Sequence, residues 1–476
     1  MNFARFALPL GALAYLPLAC SSDVGPDKTI PGPPGNTTFA MGGSGGAPVG
    51  GSGGSMTAGG TGAGTAGTGG TGGATGGSGG SAEDNGMACA KTGECPVGGF
   101  VCKSNVCTCS NDKPSICGTG ATAVCTNKMI DPDHCGDCDT KCDAGATCVA
   151  GKCGAKPTMV ATATGCGGGV RMATDGKNLY WLESAGKIRS VPVGGGTIAD
   201  VATGQMKPTQ IAVDSSGVYW ANQGADGKTG TIVKKALDAA PGDAPTLLVT
   251  GMGTQDPNKG KAVALPALTV QKGMVYYSET SVVHQVTLDA QDKVTKDIMV
   301  GIAVNYDNGG MVVEGTPVGL AASDAFVVWT SPLDRGGVES HKIEAVTNAT
   351  DNKPGYGKLG KSVGALLPAG AVVLDAKNGY WLDGGKVEFG PLTSTEGLYD
   401  VVTQVSGTFT ALALAGTKLY LADDSGKVYA HGVAPVAGED GPSPIARDQM
   451  GVSSITTDAT NVYWITDDCV ISKLPL

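Results

Sequence analysis

Twelve of the chain's 15 cysteines fall between Cys89 and Cys153, and Cys135, Cys138 and Cys142, in the stretch CGDCDTKC, stand at a spacing that can chelate a metal. The same twelve can instead pair into about six disulfides, since the segment has few large apolar side chains and needs covalent staples to hold a fold. An apolar leader at residues 6–16 marks an exported chain, and exported thiols meet oxidants before they meet zinc or iron. Disulfides are therefore expected, with their connectivity left open. Asp131, Asp133, Asp137, Asp139 and Asp143 crowd the same region, and Gly136 sits at the glycine position of a calcium loop. Cys135 occupies a ligand position and the terminal Glu is missing, so a solvated acidic loop is expected and no metal is assigned.

Acid–base chemistry would fall to His284, His341 and His431, which lie at non-equivalent places in or near different strands. Each reads better as a surface or packing residue than as part of one centre. Two further motifs are accidents of composition: GGSGG satisfies G-x-S-x-G, and Gly67, Gly69 and Gly72 satisfy G-x-G-x-x-G, but neither lies between a strand and a helix. No catalytic residue and no cofactor is assigned.

The elements that would position any site are repeats. MATDGKNLYW, IAVDSSGVYW, LTVQKGMVYY, LAASDAFVVW, VVLDAKNGYW, LALAGTKLYL and ITTDATNVYW align without gaps. All five tryptophans, Trp181, Trp220, Trp329, Trp381 and Trp464, share one column, with Tyr277 and Leu421 in its other places. Each unit reads as strand, polar turn and strand, followed by a third strand and, in several units, a fourth. The Tyr-Trp column is expected to pack between units as core. These features predict an all-β fold: a seven-bladed β-propeller of four-stranded antiparallel blades. The last unit stops after KLPL, one strand short, while PTMVATATG before the first unit matches fourth-strand text. N-terminal strand closure is therefore expected to spare the ring an unpaired edge. Cys166 and Cys469 fall at this seam, and a disulfide between them would be worth roughly 5 kcal/mol in the chain-entropy model.

The remaining segments connect and address this fold. Residues 1–20 read as a signal, 21–86 as a disordered Gly/Ser/Thr-rich tether, 87–156 as the cysteine-rich module and 157–476 as the propeller. Residues 41–80 hold 21 glycines, no charge and nothing to bury. A Gly/Ser-type tether of about 65 residues has a root-mean-square span of about 45 Å. The net charge of −10, with no basic cluster, argues against nucleic acid.

The Leu-Ala-Cys ending of the leader resembles the lipobox of bacterial lipoproteins, although Pro17 stands where that motif has an aliphatic residue. The resemblance implies lipid on Cys20, and Ser21 and Ser22 imply sorting to the outer membrane and cell surface; ordinary secretion is the alternative. CTNKMIDPDHCGDCDTKCDAGATCVAGKC resembles the cysteine-rich repeats of secreted myxobacterial and Stig1-type proteins, which implies a small extracellular interaction module. The ten-residue units resemble repeats of myxobacterial lipoproteins with TolB-like or DUF5050-like propellers, which implies extracytoplasmic binding or scaffolding.

The expected function is that of a monomeric, surface-tethered binding or scaffold protein that recognises a glycan, peptide or surface protein. The alternative is a propeller-type lyase or glycan-degrading hydrolase, the less favoured reading. Long connections occur only in units two to four, and long loops on a rigid scaffold are where recognition tends to reside. They supply the candidate contacts Asp226, Lys228, Asp256, Asn258, Lys259, Tyr306, Asp307, Asp334 and Arg335.

Overall fold

The computed structural model describes residues 84–476 apart from 120–121, 167–169, 225–229, 241, 253–266, 280–281, 303, 307–311, 315–316, 318, 334–339, 348–357, 364–370, 384–385, 393–398, 403–406 and 434–440. Seven four-stranded antiparallel sheets follow one another along the described chain. The first comprises Met172–Thr174, Asn178–Glu183, Lys187–Pro192 and Ala199–Ala202. The second starts at Pro208–Asp214, the third at Leu268–Gln271, the fourth at Gly319–Ala322, the fifth at Val372–Leu374 and the sixth at Phe409–Ala415. The seventh comprises Val452–Thr457, Asn461–Thr466, Val470–Pro475 and, as its outermost strand, Thr158–Thr162.

An aspartate sets the first hairpin in the first, fifth and seventh sheets. Asp458 Oδ1 accepts from the amides of Thr460 and Asn461 at 2.7 and 2.8 Å, while Oδ2 accepts from the Tyr463 hydroxyl at 2.6 Å. Asp175 with Tyr180, and Asp375 with Tyr380, repeat the arrangement. Such Asx turns replace backbone pairing at the bend, and here they also satisfy a phenol whose ring is buried. Burial and the adjacent aspartate push the Tyr180 and Tyr380 hydroxyls up to about 12. Burial acts to raise the Asp375 and Asp458 carboxyls, but the tyrosine and turn-amide hydrogen bonds outweigh it and hold both below the usual carboxylate value.

A carboxylate whose pKa is lower folded than unfolded stabilises the fold above its unfolded pKa, and that contribution disappears as pH falls through the folded value. Stability should therefore fall below about pH 4, the unfolded range of aspartate. Asp458→Ala is expected to cost about 1 kcal/mol at pH 7 and to shallow the acid limb of a urea-midpoint-versus-pH curve; an acid limb equal to wild type would refute the assignment.

The second strand of each sheet works on both its faces. Tyr180 packs toward Trp220, Tyr219 toward Tyr277, Tyr276 toward Trp329, Val328 toward Trp381, Tyr380 toward Leu421, Tyr420 toward Trp464 and Tyr463 toward Trp181. Because neighbouring strand residues point to opposite faces, the pair at the end of each repeat fills two interfaces, one with the following sheet and one with the preceding sheet. All five tryptophans are fully buried. Trp220 and Trp464 donate from Nε1 to Gln205 and Gln449 Oε1, both at 2.8 Å, and Trp381 donates to Glu388 Oε2 at 3.1 Å. The fit against Trp329 requires a glycine, because a Cβ on Gly301 would lie 2.3 Å from Trp329 Cη2.

The expectation of a seven-bladed β-propeller with N-terminal strand closure is corrected by the pairing. No sheet closes: each four-stranded sheet is open, with two edge strands. Thr158–Thr162 does pair with the third strand of the seventh sheet, Thr162 opposite Val470 and Thr158 opposite Lys473. It is then itself an edge strand, so it moves the open edge outward and does not remove it. Side-chain packing joins the sheets instead, first strand beside first strand in chain order, with that of the seventh beside that of the first. The architecture is all-β and propeller-like, built from open sheets.

Cys166 and Cys469 are joined by a disulfide at this seam, with Cα atoms 5.5 Å apart. Ala163 N also donates to Cys469 O at 2.9 Å. The turn before Val470 places Cys469 at φ 65°, where the corresponding turns of the first and sixth sheets have Gly186 at 78° and Gly426 at 82°. Only the seventh turn puts a side chain in this left-handed position among the three.

Six more disulfides staple the N-terminal region: Cys89–Cys102, Cys95–Cys107, Cys109–Cys125, Cys117–Cys138, Cys135–Cys148 and Cys142–Cys153. Its largest sheet has three strands, Asp84–Ala88, Val106–Cys109 and Phe100–Lys103 in spatial order. The region docks on the outer strand of the sixth sheet, Ser443–Ala446. Thr147 Oγ1 donates to Pro444 O at 3.1 Å, and Arg447 donates from N to Gly145 O at 3.0 Å and from Nε to Ala146 O at 2.7 Å.

Candidate functional site

The first strands of the seven sheets converge on a cavity of ≈ 220 Å³. Its wall is formed by the residues that open each repeat and those just before them: Arg171, Gln210, Ala267, Gly319, Ala371, Ala411 and Ser454 each immediately precede a ten-residue unit. Six of these seven are neutral, and most are small, which leaves the space open. Arg171 is the single charged residue of the described lining. It donates from Nη1 to the Ser453 carbonyl at 3.3 Å and has no acidic partner among the described residues. Burial pushes its guanidinium below the usual arginine value. Ser454 Oγ accepts from Met172 N at 3.1 Å, which ties the first and seventh sheets together beside the arginine.

The repeat alignment contained this signal one column outside the units, where a lone arginine breaks a run of neutral residues. It escaped a reading that asked only for His, Asp, Glu, Ser or Cys. No His, Asp or Glu, the groups a lyase or hydrolase would use for acid–base chemistry, is among the described lining residues.

Eight of the nine candidate loop contacts, Asp226, Lys228, Asp256, Asn258, Lys259, Asp307, Asp334 and Arg335, lie outside the described residues, as does Cys20. Tyr306 ends the short strand Val304–Tyr306, which pairs with Val312–Glu314, Tyr306 opposite Val312. This hairpin stands between the third and fourth sheets, in a segment expected to be a plain long loop.

The histidines do not gather. His284 stacks on Tyr277 with ring centroids 4.7 Å apart, and its Nδ1 lies 3.0 Å from Asp297 Oδ1. Burial acts to raise the Asp297 carboxyl, but His284 and the Tyr277 hydroxyl outweigh it and hold it below the usual value. His431 is buried in the sixth sheet and its Nε2 has no partner among the described residues. His341 lies on the third strand of the fourth sheet. In the acidic loop, Asp131 accepts from Asp133 N and Asp137 from Asp139 N, both at 2.9 Å, so these carboxylates cap their own turns. The close cysteine groups Cys89/Cys95/Cys107 and Cys135/Cys142/Cys153 consist of disulfide sulfurs. No helix among the described residues is long and apolar enough to cross a membrane.

No protein-family model matches the chain, and no curated protein matches it. Solved structures similar to it include the WD40 β-propeller domain of Doa1, at 14% identity, covering 67% of this chain and 96% of that one, with a TM-score of 0.42. The Pan2 WD40 domain of Neurospora crassa is similar at 8% identity, covering 65% and 89%, with a TM-score of 0.44. BamB from Moraxella catarrhalis is similar at 15% identity, covering 65% and 85%, with a TM-score of 0.38. The likeness to β-propellers is distant.

Proposed function

We propose that the protein is an exported binding scaffold, tethered to the outer membrane through lipid on Cys20, that recognises a glycan, peptide or surface protein through the connections of its second to fourth sheets. The finer kinship to TolB-like or DUF5050-like myxobacterial lipoproteins, with a Stig1-like module, belongs to the same reading, as does action as a monomer. The observation that carries it is the hairpin formed by Val304–Tyr306 and Val312–Glu314, an added element outside the seven sheets. It lies where the connections are longest, on a body whose sheets are fixed by buried aromatic interfaces. Rigid sheets with enlarged loops on one sector suit recognition.

The test is a screen of glycan arrays, peptides and intact cells with the soluble chain, repeated after residues 304–314 are replaced by a short glycine turn. Binding that disappears with the hairpin is the expected result; unchanged binding would refute this location. Separately, palmitate fed to producing cells should label the wild type and spare Cys20→Ala, and equal labelling of both would end the anchoring claim.

A further inference from the structure

We infer that the central cavity is a binding site for a small anion, a carboxylate or a tetrahedral oxyanion, held by the guanidinium of Arg171. This site is independent of the loop-borne recognition proposed above.

Three observations carry it. Arg171 is a partly buried cation with one hydrogen bond, to a neutral carbonyl, and no acidic partner among the described residues. A charge partly withdrawn from water is costly unless it is paired, and arginine does not escape the cost by losing its proton. Next, the cavity is kept open around it by Ala267, Gly319, Ala371 and Ala411, while Gln210 and Ser453 add neutral polar groups to the wall. Finally, ≈ 220 Å³ is below the ~300–1,000 Å³ of sites for drug-sized ligands, so the occupant is small. The planar fork of arginine matches carboxylate and phosphate alike, with two parallel N–H donors.

Other candidates carry less. The pocket beside Lys234 and Lys272 already has its cations paired with Asp292 and Asp324. The His284–Asp297 pair is closed by Tyr277.

The experiment titrates the full chain with inorganic phosphate, sulfate, acetate or succinate at constant ionic strength set with chloride, and follows thermal unfolding. A ligand of the native state raises the midpoint in a saturable way. The expected result is saturable stabilisation by at least one of these anions, weakened at least tenfold in apparent affinity in Arg171→Gln and partly retained in Arg171→Lys. Stabilisation by phosphate and sulfate alone would identify a tetrahedral ligand, and by acetate or succinate alone a planar one. No saturable effect in wild type, or an equal effect in Arg171→Gln, would overturn the proposal. Should the variants fail to fold, wild-type crystals soaked separately in selenate and in bromoacetate decide it: an anomalous peak beside the guanidinium from either supports the site, and none from both overturns it.

Discussion

Trp464→Ala should destabilise the protein by about 3–5 kcal/mol, the range for truncating a large buried aromatic side chain. Trp464 is fully buried in the interface of the sixth and seventh sheets, packed with Tyr420, Val428 and Leu474. Its indole N–H also satisfies Gln449, whose Nε2 donates to Arg447 O at 2.8 Å, beside the docked cysteine-rich region. Truncation therefore opens a cavity and leaves a polar group without its donor. Trp464→Phe keeps most of the volume and removes the donor, so it should cost about 1–3 kcal/mol, the penalty for a polar group left unsatisfied. Urea unfolding followed by tryptophan fluorescence and circular dichroism measures both. A loss below about 1 kcal/mol for the alanine variant would mean that the interface repacks, and the column would not be the adhesive that joins sheet to sheet.

Replacing both seam cysteines should lower stability by up to about 5 kcal/mol, since the bridge removes the entropy of a very long loop from the unfolded chain. The sequence separation is 303. The two ends also remain paired through the strand Thr158–Thr162, so the bridge is one of several ties. The choice of replacement at 469 matters. A side chain at φ 65° is disfavoured by roughly 1–2 kcal/mol relative to glycine, which fills the corresponding position in two sister turns. Cys166→Ala with Cys469→Gly should therefore lose less than Cys166→Ala with Cys469→Ala, by about 1 kcal/mol. Equal losses would show that the left-handed backbone at this turn is not native in solution. The double variants are preferable to a reductant, which would also open the six bridges of the N-terminal region.

The repeats were legible because their rule is local. A short polar turn, opened by an aspartate in four of the seven units, and a pair of large apolar or aromatic residues at fixed offsets specify a hairpin whose second strand is buried on both faces, and seven copies expose the pattern. The outer strand supplied by Thr158–Thr162 was legible for the same reason, since its text matches other fourth strands. Its consequence was misjudged: pairing adds an outer strand and leaves the sheet open, while side chains join the seventh sheet to the first, as Tyr463 against Trp181 shows. The disulfide pattern of the cysteine-rich region was not legible, because spacing does not choose among pairings when twelve cysteines lie so close. The docking of Arg447 on Gly145 and Ala146 was also hidden, since it uses backbone carbonyls that any sequence offers. Arg171 became meaningful only when seven first strands were seen to face one space.

The strand Thr158–Thr162 has a further consequence for biosynthesis. It is made before any of the seven repeats, yet its partner Val470–Pro475 is made last. During synthesis the early strand must wait, exposing Val160 and Ala161, which are buried in the finished protein. The intermediate sheets can stack in chain order as they emerge, but the seventh lacks its outer strand until the two distant segments meet. Such non-local pairing is slow to form. Completion is thus tied to delivery of the last strand, and a chain cut short before Val470 would leave both the early strand and Cys166 without partners.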